Sequence, residues 1–501
     1  MPAIAAIVLA IGLMGGVVQR DVNVPTGMLV AIIGGVGLAL FAAGLLHPEV
    51  PLLALTAYVP FSRVLAGDFG GLMTAFNLTN ILMGVVLVGY VLRMLAQHQP
   101  LLERSTLNVP IFLFCALGAV SLIRGILAGY NEGYAAFFIV PLKRWLTPML
   151  LYYIVYNVVQ EKRTIKQLLV IMMVVVAVVA AMAIKDYIDV GDSSLEKSRI
   201  GGIAEQPNVL GSFFVYYMFF FAAFWLENLR TAAYWLLPLL FLACFRGIMV
   251  TFSRGAYLAF ACGLYALSFF RNKACWIVLV LIGVFVWQNP WLLPKGVAYR
   301  MGETVHEWKA NDLYESDAVN TLDASAYQRL VIWRGAIEMI KQNPWWGVGY
   351  GAFPYLIDYY APLLNIQRDA HNSYLLIAAE MGIPTLLVFL WIIGLAFWKT
   401  RWLYRHAKDP FFRAMALGWL AGLAGLLVAN AFGSRLHSEE ISSYFWMLCG
   451  LVMRAIVIER REQQAAAAAE AAVAVVTVKP VIRRRLSDGK PITLRKHRTT
   501  P

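Results

Sequence analysis

The chain has 501 residues, 60% of them hydrophobic and only 14% charged, with a formal net charge of +13 and a mean hydropathy of +0.66. A water-soluble domain carries roughly 25% charged residues, so the composition excludes a soluble globular enzyme and points to a polytopic membrane protein. Much of the positive excess lies in the C-terminal tail, so net charge says little about a substrate.

Runs of about 17–25 apolar residues read as transmembrane helices. About fourteen such runs follow one another, beginning near Ala3, Gly27, Val50, Phe76, Val109, Lys143, Thr164, Asn208, Thr231, Gly255, Ala274, Ser373, Phe411 and Ile441. Met1 to Val18 has no basic segment ahead of its apolar run, so a cleavable leader is not expected. The Val50–Leu65 run is short and holds Pro51 and Pro60, which suits a tilted, broken or re-entrant helix. The expected class is an all-α polytopic membrane protein of about 12–14 transmembrane helices. It divides into N-terminal helices (1–288), one large loop with short helices (289–372), C-terminal helices (373–458) and a basic tail (459–501).

Lysine and arginine set the orientation, because cytoplasmic loops carry the positive excess. Alternate connections are rich in them: Arg93 and Arg104; Lys162, Arg163 and Lys166; Arg271 and Lys273; Lys399, Arg401, Arg405, Lys408 and Arg413. This pattern predicts both termini in the cytoplasm and the 289–372 loop on the outer face, the periplasm in a Gram-negative cell.

Within that loop, Ser325 to Gln342 has the period of an amphipathic helix, with Leu330, Trp333, Ile337 and Ile340 on one face and Asn343-Pro344 ending it. Gly347-Val348-Gly349-Tyr350-Gly351 lacks the strand and helix of a nucleotide loop and reads as a tight turn whose backbone approaches something closely. Trp345, Trp346, Tyr359 and Tyr360 suit either the headgroup layer or stacking on sugar rings. Arg368-Asp369-Ala370-His371-Asn372 stands immediately before the next apolar run, where Asp369 is placed to cap the helix. Charge at the lip of a span is paired, wet or used.

Farther on, Arg435, His437, Glu439 and Glu440 form a polar cluster read as a solvated loop, with a sugar site as the alternative. The tail holds an Ala/Val-rich stretch, Gln463 to Val478, and the clusters Arg483-Arg484-Arg485 and Arg495-Lys496-His497-Arg498. It reads as a disordered segment near anionic headgroups; no reader motif accompanies the charge, so no nucleic acid is expected as a partner. The five cysteines fall inside apolar runs without metal-ligand spacing, and no HExxH, P-loop, Rossmann fingerprint or nucleophile elbow occurs.

Arg329, Trp333, Pro344, Gly347-x-Gly349-x-Gly351-x-Phe353, His371-Asn372-x-Tyr374-Leu375 and Glu380-x-Gly382 resemble the O-antigen ligase and polymerase superfamily. Gln206-Pro207-Asn208-x-x-Gly211 and Thr251-Phe252-Ser253-Arg254-Gly255 resemble two further signatures of it. The likeness spans roughly 200 to 385; before that only the hydrophobic topology matches. It implies a GT-C-like, all-helical glycosyltransferase of the bacterial inner membrane. Such an enzyme takes a glycan from an undecaprenyl-pyrophosphate-linked donor at the periplasmic face and passes it, with inversion, to a sugar hydroxyl. The resemblance implies no cofactor and no metal. The acceptor is lipid A core for a ligase, or another carrier-linked repeat for a polymerase of O-antigen or exopolysaccharide.

That chemistry needs cations for the pyrophosphate, and arginine stays charged and binds phosphate bidentately. Arg254 is the first candidate, at the mouth of a span, with Arg199, Arg329, Arg334 and Arg368 beside it. Gln206 and Asn208 are candidates for donor sugar or pyrophosphate, and Asn208 is equally suited to capping its helix. His371 is the candidate general base for the acceptor hydroxyl, because a helix N-terminus favours neutral imidazole; the alternative is a structural histidine. Two other readings fit much of the same sequence: a protein O-oligosaccharyltransferase with the same donor, and a lipid-glycan transporter.

Overall fold

The computed structural model describes residues 35, 38–62, 78–130, 133–191, 199–293, 324–361 and 369–487. Every regular element among them is helical. In chain order they are α1 (Glu49–Tyr58), α2 (Leu78–Ala96), α3 (Asn108–Leu127), α4 (Tyr134–Val158), α5 (Lys162–Val190), α6 (Pro207–Tyr217), α7 (Phe219–Glu227), α8 (Leu237–Thr251), α9 (Arg254–Arg271) and α10 (Lys273–Gln288). Then come α11 (Ala324–Gln342), α12 (Phe353–Tyr360), α13 (Ser373–Met381), α14 (Ile383–His406), α15 (Pro410–Ala431) and α16 (Glu439–Ser487).

Among the described residues, eight helical stretches are long and apolar enough to cross a membrane. They are Leu78–Ala96, Asn108–Leu127, Lys162–Val190, Pro207–Glu227, Ala232–Thr251, Ile383–His406, Pro410–Ala431 and Glu439–Glu470. Helices α4 and α9 occupy two further expected spans, and α10 is an apolar helix of 16 residues. The runs expected near Ala3 and Gly27 lie largely outside the described residues.

Three spans are the most internal: 94% of the apolar window of Glu439–Glu470 is buried, 89% of that of Pro207–Glu227 and 72% of that of Pro410–Ala431, against 22% for Ala232–Thr251. Helix α15 packs on α9, α7, α14 and α6. Small residues permit the approach: a Cβ on Gly418 of α15 would stand 2.7 Å from the Phe220 ring. In lipid, where apolar burial drives helix association weakly, such close backbone contact holds helices together. The proline-bearing Glu49–Phe61 segment is also internal, buried from Pro51 to Phe61, which is where broken backbone is tolerated at membrane depth. Tyr444 donates its hydroxyl to the Thr56 carbonyl there, at 2.7 Å.

The helices alternate in direction, so the connections fall into two sets. One set contains 127–134, 190–207, 251–254 and 431–439, together with α11–α13. The other contains 96–108, 158–162, 227–231, 271–273 and 406–410 and holds the lysines and arginines on which the expected orientation rests.

The residues divide into two compact units, Met1–Ala455 and Ile456–Pro501. In the second, α16 continues through the Ala/Val-rich stretch to Ser487, so the tail begins as helix.

Candidate active site

The two upstream signatures are one structure. Helix α8 ends at Thr251, and Phe252 turns into the left-handed region at φ 49°. Ser253 then caps α9, its Oγ accepting from the Ala256 N–H at 3.4 Å. Arg254 is the first residue of that helix. Gly211 of α6 lies against this turn: a Cβ there would stand 2.8 Å from the Ala256 Cβ and 3.0 Å from the Thr251 hydroxyl. Arg199 joins the two, its Nε donating to the Thr251 carbonyl (3.2 Å) and its terminal nitrogen to Asn208 Oδ1 (3.1 Å).

Asn208 therefore does not cap α6. Gln206 occupies the cap position without a side-chain bond, Pro207 fills the first turn, and the Asn208 amide is turned to Arg199 instead.

The glycine turn approaches backbone, as its sequence requires. Gly347, Gly349 and Gly351 have φ of 64°, 121° and 81°. A Cβ on Gly349 would stand 2.7 Å from the Gly125 Cα of α3. The Val348 and Gly349 N–H groups donate to the Ala379 and Glu380 carbonyls at 2.8 and 2.9 Å, and the Ser121 hydroxyl donates to the same Glu380 carbonyl at 2.8 Å. The turn thus ties α3 to α13.

Helix α11 forms where its period predicts, with a different buried face. Ile332, Ala336 and Met339 are fully buried, whereas Leu330 and Ile337 are 40% and 43% exposed. Arg329 and Trp333 share the inward side, and the Trp333 indole N–H donates to the Ala370 carbonyl at 3.0 Å, holding the residue before His371. Arg334 is exposed.

His371 sits in the left-handed region, φ 47°. The helix that follows is capped by Asn372, whose Oδ1 accepts from the Tyr374 and Leu375 N–H groups. Asp369 is not that cap. Its carboxylate lies 3.2 Å from His371 Nδ1 and accepts from the Ser434 hydroxyl at 2.9 Å. The expected solvated loop at 435–440 is corrected in part: Arg435 is 8% exposed and Glu440 1% exposed, whereas His437 is exposed. Arg435 lies in the electrostatic neighbourhood of both His371 and Arg329. One terminal nitrogen of Arg435 donates to the Phe432 carbonyl at 3.3 Å.

Phe432 links the two halves. Its ring is 6.3 Å from that of Trp333, and its Cβ lies 3.2 Å from where a Cβ on Gly255 would stand. The Arg254 turn, the α11 face and the His371 loop thereby converge.

Burial is the main cause holding His371 below the ordinary imidazole value; Asp369 opposes it, and Arg329 and Arg435 reinforce it. The neutral form follows, as the helix-terminus argument expects, but from burial and two cations first. The Asp369 contact on Nδ1 favours the tautomer with its proton there, leaving the Nε2 lone pair available. Burial also pushes the Glu380 carboxyl up to about 7, against backbone N–H bonds from Gly351 and Phe353 that lower it.

The structure thus brings Arg329 to His371 and Arg199 to Asn208, and sets Arg254 beside Phe432. Gln206 and Arg334 are exposed. Arg368 lies outside the described residues. Sequence reasoning gives no site role to Ser434 and Asp369, and gives Arg435 one only through the alternative sugar site; the signal is a polar Ser434-Arg435-x-His437 run between two spans.

Residues 238–390 match the family described as O-antigen ligase. The matched segment runs from α8 into α14 and contains Arg254, Arg329 and His371; Arg199, Asn208 and Arg435 lie beyond it. No curated protein matches the chain.

Proposed function

We propose that this chain, which carries an O-antigen ligase domain over residues 238–390, moves a glycan from undecaprenyl pyrophosphate to a sugar hydroxyl at the outer face of the bacterial inner membrane. The observation that carries this reading is the surround of His371. A half-buried imidazole with its pKa lowered has a carboxylate on Nδ1 and the electrostatic influence of two arginines, Arg329 and Arg435.

A base and a phosphate site are needed together in this chemistry. The acceptor oxygen attacks the anomeric carbon as its proton passes to His371 Nε2. The new glycosidic bond forms from the opposite side as the bond to the pyrophosphate oxygen breaks, and the pyrophosphate leaves with the bonding pair. Its growing negative charge is met by Arg329, Arg435 and the Arg254–Arg199 group, since fixed cations aimed at developing charge stabilise a transition state strongly in a water-poor site. Asn208, oriented by Arg199, is available to the donor; Gln206 and Arg368 join it as donor-binding candidates, and Arg334 is the weakest of the set because it is exposed. Asp369 favours the working tautomer of His371 and stabilises the imidazolium that forms.

The outward orientation rests on the lysines and arginines gathered at the opposite set of connections. A reporter fused at Asp317 should therefore be translocated.

The deciding experiment uses purified protein in lipid with a labelled undecaprenyl-pyrophosphate repeat unit. A glycan ladder with no second acceptor identifies polymerisation; transfer only when lipid A core is added identifies ligation. No product with either acceptor would overturn the reading and return protein hydroxyls, or transport without chemistry, to consideration.

A further inference from the structure

Beside the His371 loop lies a cavity of about 220 Å³, lined by residues that include Asp369, Glu380, His437, Tyr350, Phe138 and Leu376. It shares only Asp369 with the immediate surround of the imidazole. Three features define what it can hold.

The first is charge. The described lining has two carboxyl groups and neither lysine nor arginine. Such walls offer no cation to a pyrophosphate, so this is no extension of the arginine group.

The second is polarity. Glu380 is 5% exposed, with one carboxyl oxygen accepting from the Phe353 N–H at 3.2 Å. His437 is exposed and lines the cavity, its ring stacked 6.2 Å from Trp145. A neutral imidazole offers a donor and an acceptor. Carboxyl groups and a neutral imidazole match hydroxyl groups, which both donate and accept.

The third is shape. Phe138, Tyr350, Pro141, Pro354 and Leu376 supply flat apolar walls suited to the C–H faces of a pyranose. The volume is below the ~300–1,000 Å³ of drug-sized pockets, which fits one ring and not an oligosaccharide.

We infer that this cavity is a subsite for one neutral sugar ring of the acceptor glycan, adjoining the ring whose hydroxyl faces His371. The inference rests on the transfer reaction proposed above. The site separates its substrates by charge: arginines take the anionic donor, and an acid-lined, aromatic-walled cavity takes the neutral acceptor. Asp369 stands between them, touching the imidazole on one side and lining the cavity on the other.

Leu376→Phe tests this, because it narrows an apolar wall and changes no charge. Purified full-length protein in lipid is assayed with the labelled undecaprenyl-pyrophosphate repeat unit as donor and lipid A core or a carrier-linked repeat as acceptor. Donor affinity is read separately by direct binding. The expected result is an acceptor KM raised about tenfold or more, the usual effect of a mis-sized pocket wall, with donor Kd unchanged. Glu380→Gln, similar in shape, should raise acceptor KM in the same way, and its melting temperature shows whether the glycine turn survives. An unchanged acceptor KM in folded Leu376→Phe, or a donor Kd weakened by the same factor, would overturn the subsite while leaving the transferase reading intact. Absence of transfer by the wild-type protein would overturn that reading, and the subsite with it.

Discussion

The two ends of the helical bundle hold their arginines by different kinds of contact. At the end carrying the 96–108, 158–162, 227–231 and 406–410 connections, opposite charges meet. Arg454, fully buried, reaches Glu103 at 3.0 Å and Gln160 at 3.2 Å and bonds the Tyr156 carbonyl. Glu227 takes Arg413 at 2.9 Å and Arg271 at 3.4 Å, and Asp409 takes Lys162. At the other end, the hydrogen bonds of Arg199 and Arg435 described above run to carbonyl and amide oxygens. Those bonds orient a guanidinium, and Asp369 lies in the electrostatic neighbourhood of Arg435. The first arrangement pairs charge with charge inside the scaffold. The second, on the function proposed above, holds guanidinium groups in place for a phosphate.

Removing His371 should break the comparison most sharply. His371→Ala is expected to reduce transfer by ~10²–10⁴-fold, the range for a general base, with donor binding retained; full turnover would end the proposal. Next in size is the scaffold end. Breaking a buried ion pair from one side costs ~3–5 kcal/mol, and the partial exposure of Glu103 places Arg454→Met toward the low end. Its melting temperature should fall, with turnover per folded molecule unchanged. A large turnover defect without loss of stability would erase the distinction between the ends. Smaller again is Arg254→Lys, which keeps the charge and loses the bidentate fork. Charge-assisted hydrogen bonds contribute about 1.5–3 kcal/mol, so transfer should fall by one to two orders of magnitude. Arg334→Lys, on the exposed side of α11, should be silent; equal losses in the two variants would mean that bulk positive charge, and not placed guanidinium groups, does the work.

The scaffold was more legible than the site, for a physical reason. Span starts read at Thr164, Asn208, Thr231, Gly255, Ala274, Phe411 and Ile441 fall within two residues of the helices observed, because apolar runs and polar caps are local signals; the run expected from Ser373 breaks at Gly382 into α13 and the span Ile383–His406. Helix α4 begins at Tyr134, nine residues before the Lys143 expected, since its aromatic first turns pack on the glycine turn and α12; Tyr134 itself bonds the Tyr350 carbonyl. The wrong face was assigned to α11 because counting large apolar residues favours Leu330 and Ile337. Packing instead selects the face around Gly335, where a Cβ would stand 2.9 Å from Ile357 of α12, and buries Ile332 and Met339 beside it. Arg435 was read as solvated because a polar run between spans looks the same whether it faces water or folds inward. Only tertiary contact, through Phe432 and Ser434, shows the difference. His371, Arg254 and Arg329 were legible through motif resemblance, which carries what local periodicity cannot.

The smallest effect expected is in the pH profile. An unshifted imidazole, pKa about 6.5, would be only about one-quarter neutral at pH 6. His371 lies below that value in the folded protein, chiefly from burial, so the acid limb of the transfer rate should have its midpoint below 6.5. Asp369 raises the His371 pKa; Asp369→Asn should move the limb lower still while reducing the plateau, because the tautomer is less well held. A merely structural histidine would give a limb that ignores Asp369→Asn. Stability must be followed alongside, since the same groups act on it with opposite signs. For His371, with its folded pKa depressed, stability is present above 6.5 and declines as pH falls through the window beneath it, because the unfolded chain takes the proton first. For Glu380, raised from 4.5 to about 7, stability is fully present below 4.5 and is lost as pH rises through 7. A rate loss at acid pH that reverses on neutralisation, at constant melting temperature, would therefore report the base itself; one that tracks unfolding would assign the limb to the fold.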